Sequence, residues 1–531
     1  MTNTEYLTGI AYAASAIAAV FALPVTWFLL RRYRRSIVQF MSQKMIAAAA
    51  AGHVPSVQVP TLPAPPAEVG SAQIKAGLIR NVIVVFVVGA FTGAAFALLL
   101  LLWNDIDLSV YRIDFFTVAY AWPVVVGVWI VSGAGRRWGW VALGTYLVLL
   151  WAAGLIGGLG PLDPLVQWAW SLIPTAAIAA FLTRPLRGVG TLVLGTMMIG
   201  LVGSESIAVW VLESDTRAVL WVELVSAIGI EDVFLTFVGL RVVAFLVAMI
   251  AGVIAVRLLA GWYERQWFSD QMLLLGSSFL VFAIDASVTV DPSSFGAFGF
   301  GMTIYVVLGG VAPLLYRWIH REKPAAPSLL MLRVFSPHRG TTRLLDRVSA
   351  RWRYLGPVRM IGGPDLAVVN VEPDEFLRFV SGGLRETFID TPAALGRRVG
   401  SLRVRPDPDG RHRVDELFCF DDTWRLTARA LLERSDVVLM DLRGFGPGNQ
   451  GCIDEIEMLE GQQALGRTVI LVDDTTDRRL LDEVLPAGQV PTTVTVTDED
   501  ADRVVAACLA AAGGNRVAPE SRLLESDSDP G

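Results

Sequence analysis

The sequence predicts a polytopic α-helical membrane domain followed by a cytoplasmic α/β domain with a mainly parallel sheet. Hydrophobic residues make up 53% of the 531 residues, and the mean hydropathy is +0.52. A soluble chain of this size rarely reaches such values, so the composition indicates membrane spans. Every apolar stretch long enough to span a bilayer precedes residue 323. After that residue, short apolar runs alternate with amphipathic patterns, which is typical of α/β folds.

We predict about nine spans, because roughly 20 apolar residues in a helix cross the hydrocarbon core. They lie near residues 7–30, 82–103, 115–131, 140–156, 165–182, 189–212, 234–256, 272–288 and 295–315. Residues 218–230 are apolar but too short to span, which predicts an interfacial or re-entrant helix. The first span is followed, not preceded, by basic residues, so we expect an anchor rather than a cleavable signal.

The charges between the spans predict the orientation. Basic residues recur in alternate loops: Arg136, Arg137, Arg184, Arg187, Arg257, Arg265, Arg317, Arg321 and Lys323. The other loops are acidic: Asp105, Asp107, Asp114, Asp163, Glu213, Asp215, Glu231, Asp232 and Asp291. Because basic loops stay on the cytoplasmic side, we expect the N-terminus outside and the C-terminal domain inside. This arrangement predicts a multi-pass protein of a bacterial-type plasma membrane.

Three ionisable residues, Glu205, Arg241 and Asp285, fall within or near apolar spans. Such residues mark either a polar site or a proton relay, or an ion pair that holds helices together. We favour the second interpretation, in which Arg241 pairs with one of the two carboxylates or reaches the outer interface. Gly89 and Gly93 have the spacing of a close helix contact. In a chain with 49 glycines we expect that spacing to be coincidental.

The domain over residues 324–513 reads as alternating strands and helices, which predicts a parallel sheet covered on both faces. Residues 514–531 are polar and are predicted to form a disordered tail. Three cysteines, all in this part, imply no disulfide framework, and no His/Cys/Asp spacing suggests a metal site. The basic residues are accounted for by the inner membrane face, so we expect no nucleic-acid partner.

The most informative stretch is residues 435–459, SDVVLMDLRGFGPGNQGCIDEIEML. It predicts a buried strand ending at Asp441, a Gly/Pro-rich loop and a helix. Ligands of open α/β sheets bind at this end of the strands, beside a helix N-terminus. We therefore place Asn449, Gly451 and Glu455 at a small-molecule site, with Arg443 within reach of a phosphate. Gly451 is expected where the backbone approaches another group closely.

A second strand–loop–helix pattern begins at residue 329 and contains Ser336, Arg339, Thr341 and Arg343. Free N–H groups, a positive helix end and two arginines suit a phosphate. The loop lacks the Walker lysine and the spacing of a dinucleotide fingerprint. The alternative, about equally favoured, is that Thr341 or Thr342 caps the helix and the arginines face anionic lipid.

Asp473 and Asp474 follow a further strand, at the sheet edge where Asp441 is predicted. Carboxylates there could bind ribose hydroxyls or a metal. The interpretation we favour is that Asp474 caps the following helix.

The stretch from Asp441 to Glu455 resembles the TIR-like and nucleoside 2-deoxyribosyltransferase-like superfamily. In that superfamily a strand ending in Asp is followed by a loop, an Asp/Asn-x-Gly-Thr-like turn and a helix that carries a catalytic Glu. Here Asn449, Gln450, Gly451 and Cys452 form the turn, with Cys452 in place of the usual hydroxyl residue. The resemblance implies that Glu455 attacks or stabilises the anomeric carbon of an N-riboside such as NAD.

Three functions are compatible with these patterns. The first is a membrane protein whose cytoplasmic domain binds NAD or a related nucleotide, with or without cleaving it, in signalling or defence. NAD would then be a substrate, and no cofactor is expected. We expect Glu455 in the first turn of its helix, ionised by the positive end of the helix dipole.

The second function is a non-catalytic assembly module, in which Glu455 and Glu457 are ordinary helix carboxylates. The third is a nucleotide-regulated transporter or channel. Membrane lipids, a small-molecule nucleotide and further copies of the chain are the partners that these hypotheses allow.

Overall fold

A computed structural model describes most of the chain: residues 3–41, 67–132, 136–164, 178–181, 186, 189–291, 295–320, 327–333, 339–362, 373–380, 382–420, 423–486, 491–497 and 500–514. Two compact units interleave along the sequence. The helical unit takes in Met1–Tyr33, Arg80–Ile319 and Val369–Ser381. The α/β unit takes in Arg34–Ile79, His320–Val368 and Gly382–Gly531. The chain therefore passes from one unit to the other several times, and the predicted domain boundary near residue 323 is only one of these points.

The first ten described helices precede the sheet. They are α1 (Asn3–Met41), α2 (Ala67–Trp103), α3 (Val110–Tyr120), α4 (Pro123–Val131), α5 (Arg136–Ile156), α6 (Gly190–Leu212), α7 (Asp215–Ala227), α8 (Val233–Glu264), α9 (Asp270–Val290) and α10 (Phe295–Ile319). The first two extend past the apolar stretches of the sequence, and their polar ends, after Tyr33 and before Arg80, belong to the α/β unit.

Six of these helices are long and apolar enough to cross a membrane within the described part of the chain. They run over Glu68–Trp103, Trp138–Ile156, Gly190–Leu212, Val233–Glu264, Asp270–Val290 and Gly296–Ile319, each covering a predicted span. A seventh candidate is the pair α3 and α4, which is bent by 40° at a short break. The predicted span 7–30 lies within α1, and most of the predicted span 165–182 lies outside the described residues. The total of nine and the orientation stay predictions.

Helix α9 is the most enclosed candidate span, with 78% of its most apolar window buried. It packs against α10, α6 and α4. Helix α2 lies against the broken span through its two spaced glycines. A side chain at Gly89 would meet Val124 of α4, and one at Gly93 would meet the Thr117 carbonyl oxygen of α3. The expectation that this spacing is coincidental was wrong, because both glycines admit a neighbouring helix.

The ion pair expected in the helical unit is formed by Arg241 and Glu205. The guanidinium donates from Nε to Oε2 at 2.9 Å and from Nη2 to Oε1 at 2.5 Å. This bidentate geometry joins α8 to α6, which make the most extensive helix contact of the unit. Asp285, the other candidate partner, stands apart from this pair.

The α/β unit contains β1 (Leu329–Arg333), α11 (Arg339–Trp352), β2 (Val358–Gly362), β3 (Phe388–Ile389), α13 (Pro392–Gly400), β4 (Val414–Cys419), α14 (Trp424–Leu432), β5 (Val437–Asp441), α15 (Gln450–Gly461), β6 (Thr468–Val472), α16 (Arg478–Val484), β7 (Thr492–Thr495) and α17 (Ala501–Gly514). Helix α12 (Pro373–Val380) follows β2 in the chain but belongs to the helical unit. There the Tyr33 hydroxyl donates to Glu375 Oε2 at 2.7 Å, and α12 also contacts α8 and α9.

The seven strands form one parallel sheet in the order β3-β4-β2-β1-β5-β6-β7. Helices α13, α14, α15 and α16 contribute to the apolar core on one face. Helices α11 and α17 contribute to the core on the other face. The predicted mainly parallel, doubly covered sheet is thus confirmed. From β1 the chain proceeds to β2 on one side and later to β5 on the other, so a topological switch point lies between β1 and β5.

Candidate functional site

The candidate site lies where β1 and β5 end side by side. Arg333 is the last residue of β1 and pairs in register with Asp441, the last residue of β5. Both side chains are buried. This edge of the switch point is where open α/β sheets bind their ligands. Arg333 was not among the predicted site residues. The available signal was an arginine at the end of the apolar run LLML.

Asp441 and Arg443 form a buried ion pair across the start of the loop after β5. Arg443 donates from Nε to Oδ1 at 2.9 Å and from Nη2 to Oδ2 at 2.7 Å, and its backbone N–H reaches Oδ1 at 3.2 Å. A charge pair withdrawn from water needs such geometry to offset its desolvation. The Arg443 side chain therefore binds Asp441, whereas the sequence led us to expect it within reach of a phosphate.

The loop between β5 and α15 is shaped by glycine and anchored in its first half. Gly444 has a φ of 75°, a left-handed conformation that favours glycine. The Thr476 hydroxyl donates to the Leu442 carbonyl oxygen at 3.0 Å, and the Asp477 N–H donates to the Phe445 carbonyl oxygen at 2.9 Å. These bonds tie the loop to the segment that follows β6.

Asn449 precedes α15 but does not cap it with its side chain. Its Oδ1 accepts instead from the Gly446 N–H at 2.9 Å. The Asn449 amide, which the sequence places at a small-molecule site, thus stabilises the loop. Gly451 is exposed in the first turn of α15, and an added Cβ would meet nothing within 4 Å. No described group of the protein approaches Gly451 closely, so the expected close approach of its backbone to another group stays a prediction.

Glu455 is the unusual residue of α15. The helix starts at Gln450, so Glu455 lies in its second turn, not in the predicted first turn. Its neighbours on the buried stripe are Cys452, Ile456 and Leu459, which follow helical spacing. Glu457 is exposed. An acidic side chain thus occupies a position at which the helix pattern calls for an apolar one.

Within the described residues, no hydrogen-bond donor reaches Glu455 Oε2. Burial, reinforced by the charge of Asp454, raises the pKa of Glu455 to about 8. The expectation that the helix dipole keeps this carboxyl ionised was wrong, because desolvation outweighs the dipole in the second turn. Near neutral pH the group is mainly protonated.

Two neighbouring groups report the electrostatics of the site. Burial, followed by the charges of Glu455 and Asp441, raises the pKa of the Cys452 thiol to about 12, so the thiol lies within reach of both carboxyl groups. Burial alone would raise the pKa of Asp473. Hydrogen bonds from Thr475 and Thr476 and the charge of Arg443 outweigh it and lower that pKa. Asp473 thus shapes the turn after β6, while Asp477, not Asp474, caps α16.

The second predicted motif is only partly within the described residues. Ser336 lies outside them. Helix α11 begins at Arg339, so Thr341 and Thr342 lie inside its first turn and not at the capping position. Arg343 is exposed on the same helix. The predicted phosphate-binding role of this segment stays a prediction.

No group of three or more His, Cys, Asp or Glu side chains suited to a metal ion occurs among the residues that the structure describes. The candidate site combines carboxyl and guanidinium groups. Cys452 lies within reach of Glu455 and Asp441, Asp441 is paired with Arg443, and Arg333 ends the adjacent strand. Comparison of the chain with protein-family models, with curated proteins and with solved structures gave no significant match.

Proposed function

We propose that the α/β unit binds NAD or a related nucleotide at the edge of β1 and β5 and that Glu455 promotes cleavage of its N-glycosidic bond. One observation carries the proposal: Glu455 is a buried carboxyl on the core stripe of α15, and its Oε2 lacks a hydrogen-bond partner among the described residues. Burying an ionisable group in this way costs stability. Groups with strongly shifted pKa values at a ligand-binding sheet edge are candidates for function.

The chemistry needs a carboxylate that becomes ionised when substrate binds. Cleavage of an N-riboside breaks the C1′–N bond, and the electron pair leaves with the base. Positive charge then develops on the ribose, where a carboxylate stabilises it or forms a covalent adduct. A cationic nicotinamide riboside next to Glu455 favours the ionised carboxyl. Water finally adds to C1′ and releases a proton.

Substrate access requires movement of the loop after β5, because Glu455 is enclosed in this structure. The exposed glycines at 444 and 448 are suited to such a movement. Arg333 and the Arg443–Asp441 pair then offer positive charge for a phosphate and a carboxylate for hydroxyl groups.

In this proposal the unit works on the cytoplasmic side of a bacterial-type plasma membrane. The alternation of basic and acidic loops supports that orientation. The helical unit would sense or anchor, and nucleotide cleavage would serve signalling or defence.

The test is nucleotide binding and consumption by the full chain in lipid nanodiscs. The full chain is required because segments of α1 and α2 belong to the α/β unit. Glu455→Gln is compared with Glu457→Gln, which changes an exposed carboxylate on the same helix. We expect NAD cleavage by the parent and by Glu457→Gln, and a loss of about 10²–10⁴-fold in Glu455→Gln.

NAD binding is measured on the same samples by calorimetry. Cleavage that survives Glu455→Gln would contradict the role of Glu455. Absence of both binding and cleavage in the parent would favour the non-catalytic assembly module.

A further inference from the structure

The helical unit holds a second buried carboxyl group, Asp285, in the last third of α9. Its side chain is only 5% exposed. Within the described residues, no hydrogen-bond donor reaches its Oδ1. The one ion pair that the sequence offered it is made elsewhere, between Arg241 and Glu205. An intramembrane carboxyl without a counter-charge is costly, and such groups commonly carry function.

The surroundings of Asp285 add an independent observation, a broken span. Helices α3 and α4 are bent by 40° at residues 121–122. Phe282, Asp285 and Thr289 share one face of α9 by helical spacing. Thr289 Oγ1 lies 2.9 Å from the Tyr120 hydroxyl at the end of α3, and Asp285 is within electrostatic reach of that hydroxyl.

Aromatic rings complete the surroundings of the break. The Phe282 ring contacts Trp122 at 5.5 Å and Phe96 at 5.4 Å between ring centroids. An apolar cavity of about 200 Å³ extends to Phe96 and Ala283. A carboxyl group and a helix break thus lie together, and the Phe96 ring that contacts Phe282 also lines the apolar cavity. Broken spans beside an ionisable group are typical of sites at which membrane proteins bind ions or protons.

The charged and titratable groups on the helices around Asp285 are engaged elsewhere or lie far along the chain. On α6, Glu205 is paired with Arg241, and α4 carries no titratable side chain. On α10, Tyr305 donates to the Gly276 carbonyl oxygen, Tyr316 packs with Met272 near the start of α9, and Arg317 is exposed.

The same holds for the other neighbours. On α12, Glu375 accepts from Tyr33 and Arg378 lies 3.9 Å from Glu264. The charged residues of α2 all precede Asn81, so they lie roughly 20 Å or more before Phe96 along the helix. At the start of α3, Arg112 and Asp114 are exposed.

We propose that Asp285 is a proton-binding site of the helical unit, set beside the break between α3 and α4. A proton fits better than a metal cation. The hydroxyl groups next to it on α9 are bonded to carbonyl oxygens of their own helix: Thr289 donates to Ala286 and Ser287 donates to Ala283. A cation such as Na⁺ would need several free oxygen ligands, whereas a neutral carboxyl group needs none of them. Ionisation of Asp285 would place a charge against the aromatic rings at the break and shift α4 on α9.

The test uses dicyclohexylcarbodiimide, a lipid-soluble reagent that adds to protonated carboxyl groups, on the full chain in nanodiscs. Mass spectrometry locates the adducts at acidic and at alkaline pH. We expect an adduct at Asp285 that diminishes as the pH rises and that Na⁺ does not prevent. Asp291, which accepts a hydrogen bond from the Trp103 indole, is the internal comparison six residues later.

Infrared difference spectroscopy provides a second measurement that does not depend on reagent access. A pH step should change a carboxylic C=O band that shifts on ¹³C-labelling of aspartate and disappears in Asp285→Asn. The isotope shift is measured on the native sequence, so it decides the question even when the variant does not fold. Absence of both the adduct and the labelled band would overturn the proposal. Protection by Na⁺ at constant pH would overturn it in favour of a cation site.

Discussion

At the residue scale, Glu455 decides how the α/β unit is understood. Its position in the sequence was predicted correctly as part of a helix behind β5, but its environment was not. Sequence pattern indicated a helix start and favoured a solvated or dipole-stabilised carboxylate. The helix begins at Gln450 and Glu455 falls on its buried stripe, so desolvation dominates. Burial depends on the packing of α15 against the sheet, which no single-sequence signal specifies.

The shifted pKa of Glu455 predicts a pH-dependent cost to stability. The pKa of Glu455 is 4.5 in the unfolded chain and about 8 in the folded chain. Burial favours the neutral carboxyl group, so its contribution to stability is fully present below about pH 4.5. That contribution is lost as the pH rises towards 8. Glu455→Gln should therefore stabilise α15 relative to the parent, by on the order of 3–5 kcal/mol at alkaline pH and little at acidic pH.

Hydrogen exchange of peptides from α15 measures this difference in the full chain. Glu457→Gln serves as the control, since its side chain is exposed. Equal protection of the parent and Glu455→Gln at every pH would show that Glu455 is solvated.

The Asp441–Arg443 pair gives a second prediction at the same scale. Arg443→Met leaves a buried carboxylate without its bidentate partner, and we expect destabilisation of about 3–5 kcal/mol. Adding Asp441→Asn should recover much of this loss, because no unpaired charge remains. Pulse proteolysis in urea compares the single and double variants. A double variant as unstable as the sum of the single variants would show that the two groups do not interact.

At the scale of elements, the sequence predicted six of the seven strands and missed the shortest one. Strands β1, β2, β4, β5, β6 and β7 were predicted because each falls in a short apolar or β-branched run between turn signals. Strand β3 was missed because it has only two residues. The end of α13 was also missed, because residues 397–413 are polar and were read as a loop. The predicted helix over 374–387 is shorter: α12 ends at Val380.

The glycines of α2 provide a prediction about helix packing. Gly89→Ala and Gly93→Ala each force a methyl group into the broken span, against Val124 or the Thr117 carbonyl oxygen. We expect each to lower the free energy of unfolding of the chain in nanodiscs by about 1–3 kcal/mol. Gly309→Ala on α10 is the matched control, because an added Cβ there meets nothing within 4 Å. A similar effect of all three substitutions would contradict the close packing of α2 on the break.

At the scale of the whole molecule, composition and the alternation of strand and helix patterns were enough to predict candidate membrane spans followed by a parallel sheet. They were not enough to predict how the units interleave. Helices α1 and α2 extend beyond their apolar stretches into the α/β unit, and α12 joins the helical unit from between β2 and β3. Such exchanges depend on tertiary contacts, such as the bond from Tyr33 to Glu375, between residues more than 300 positions apart.

The most direct test of the central claim is nicotinamide release from NAD by the full chain, measured across pH with Glu455→Gln beside it. If the ionised form of Glu455 acts in catalysis, kcat/KM rises with pH and levels off above about 8, where the free carboxyl group has lost its proton. The account predicts this profile in the parent and in Glu457→Gln, and almost no release in Glu455→Gln. Bound NAD that stays intact at every pH, or release that is the same in Glu455→Gln, would contradict it.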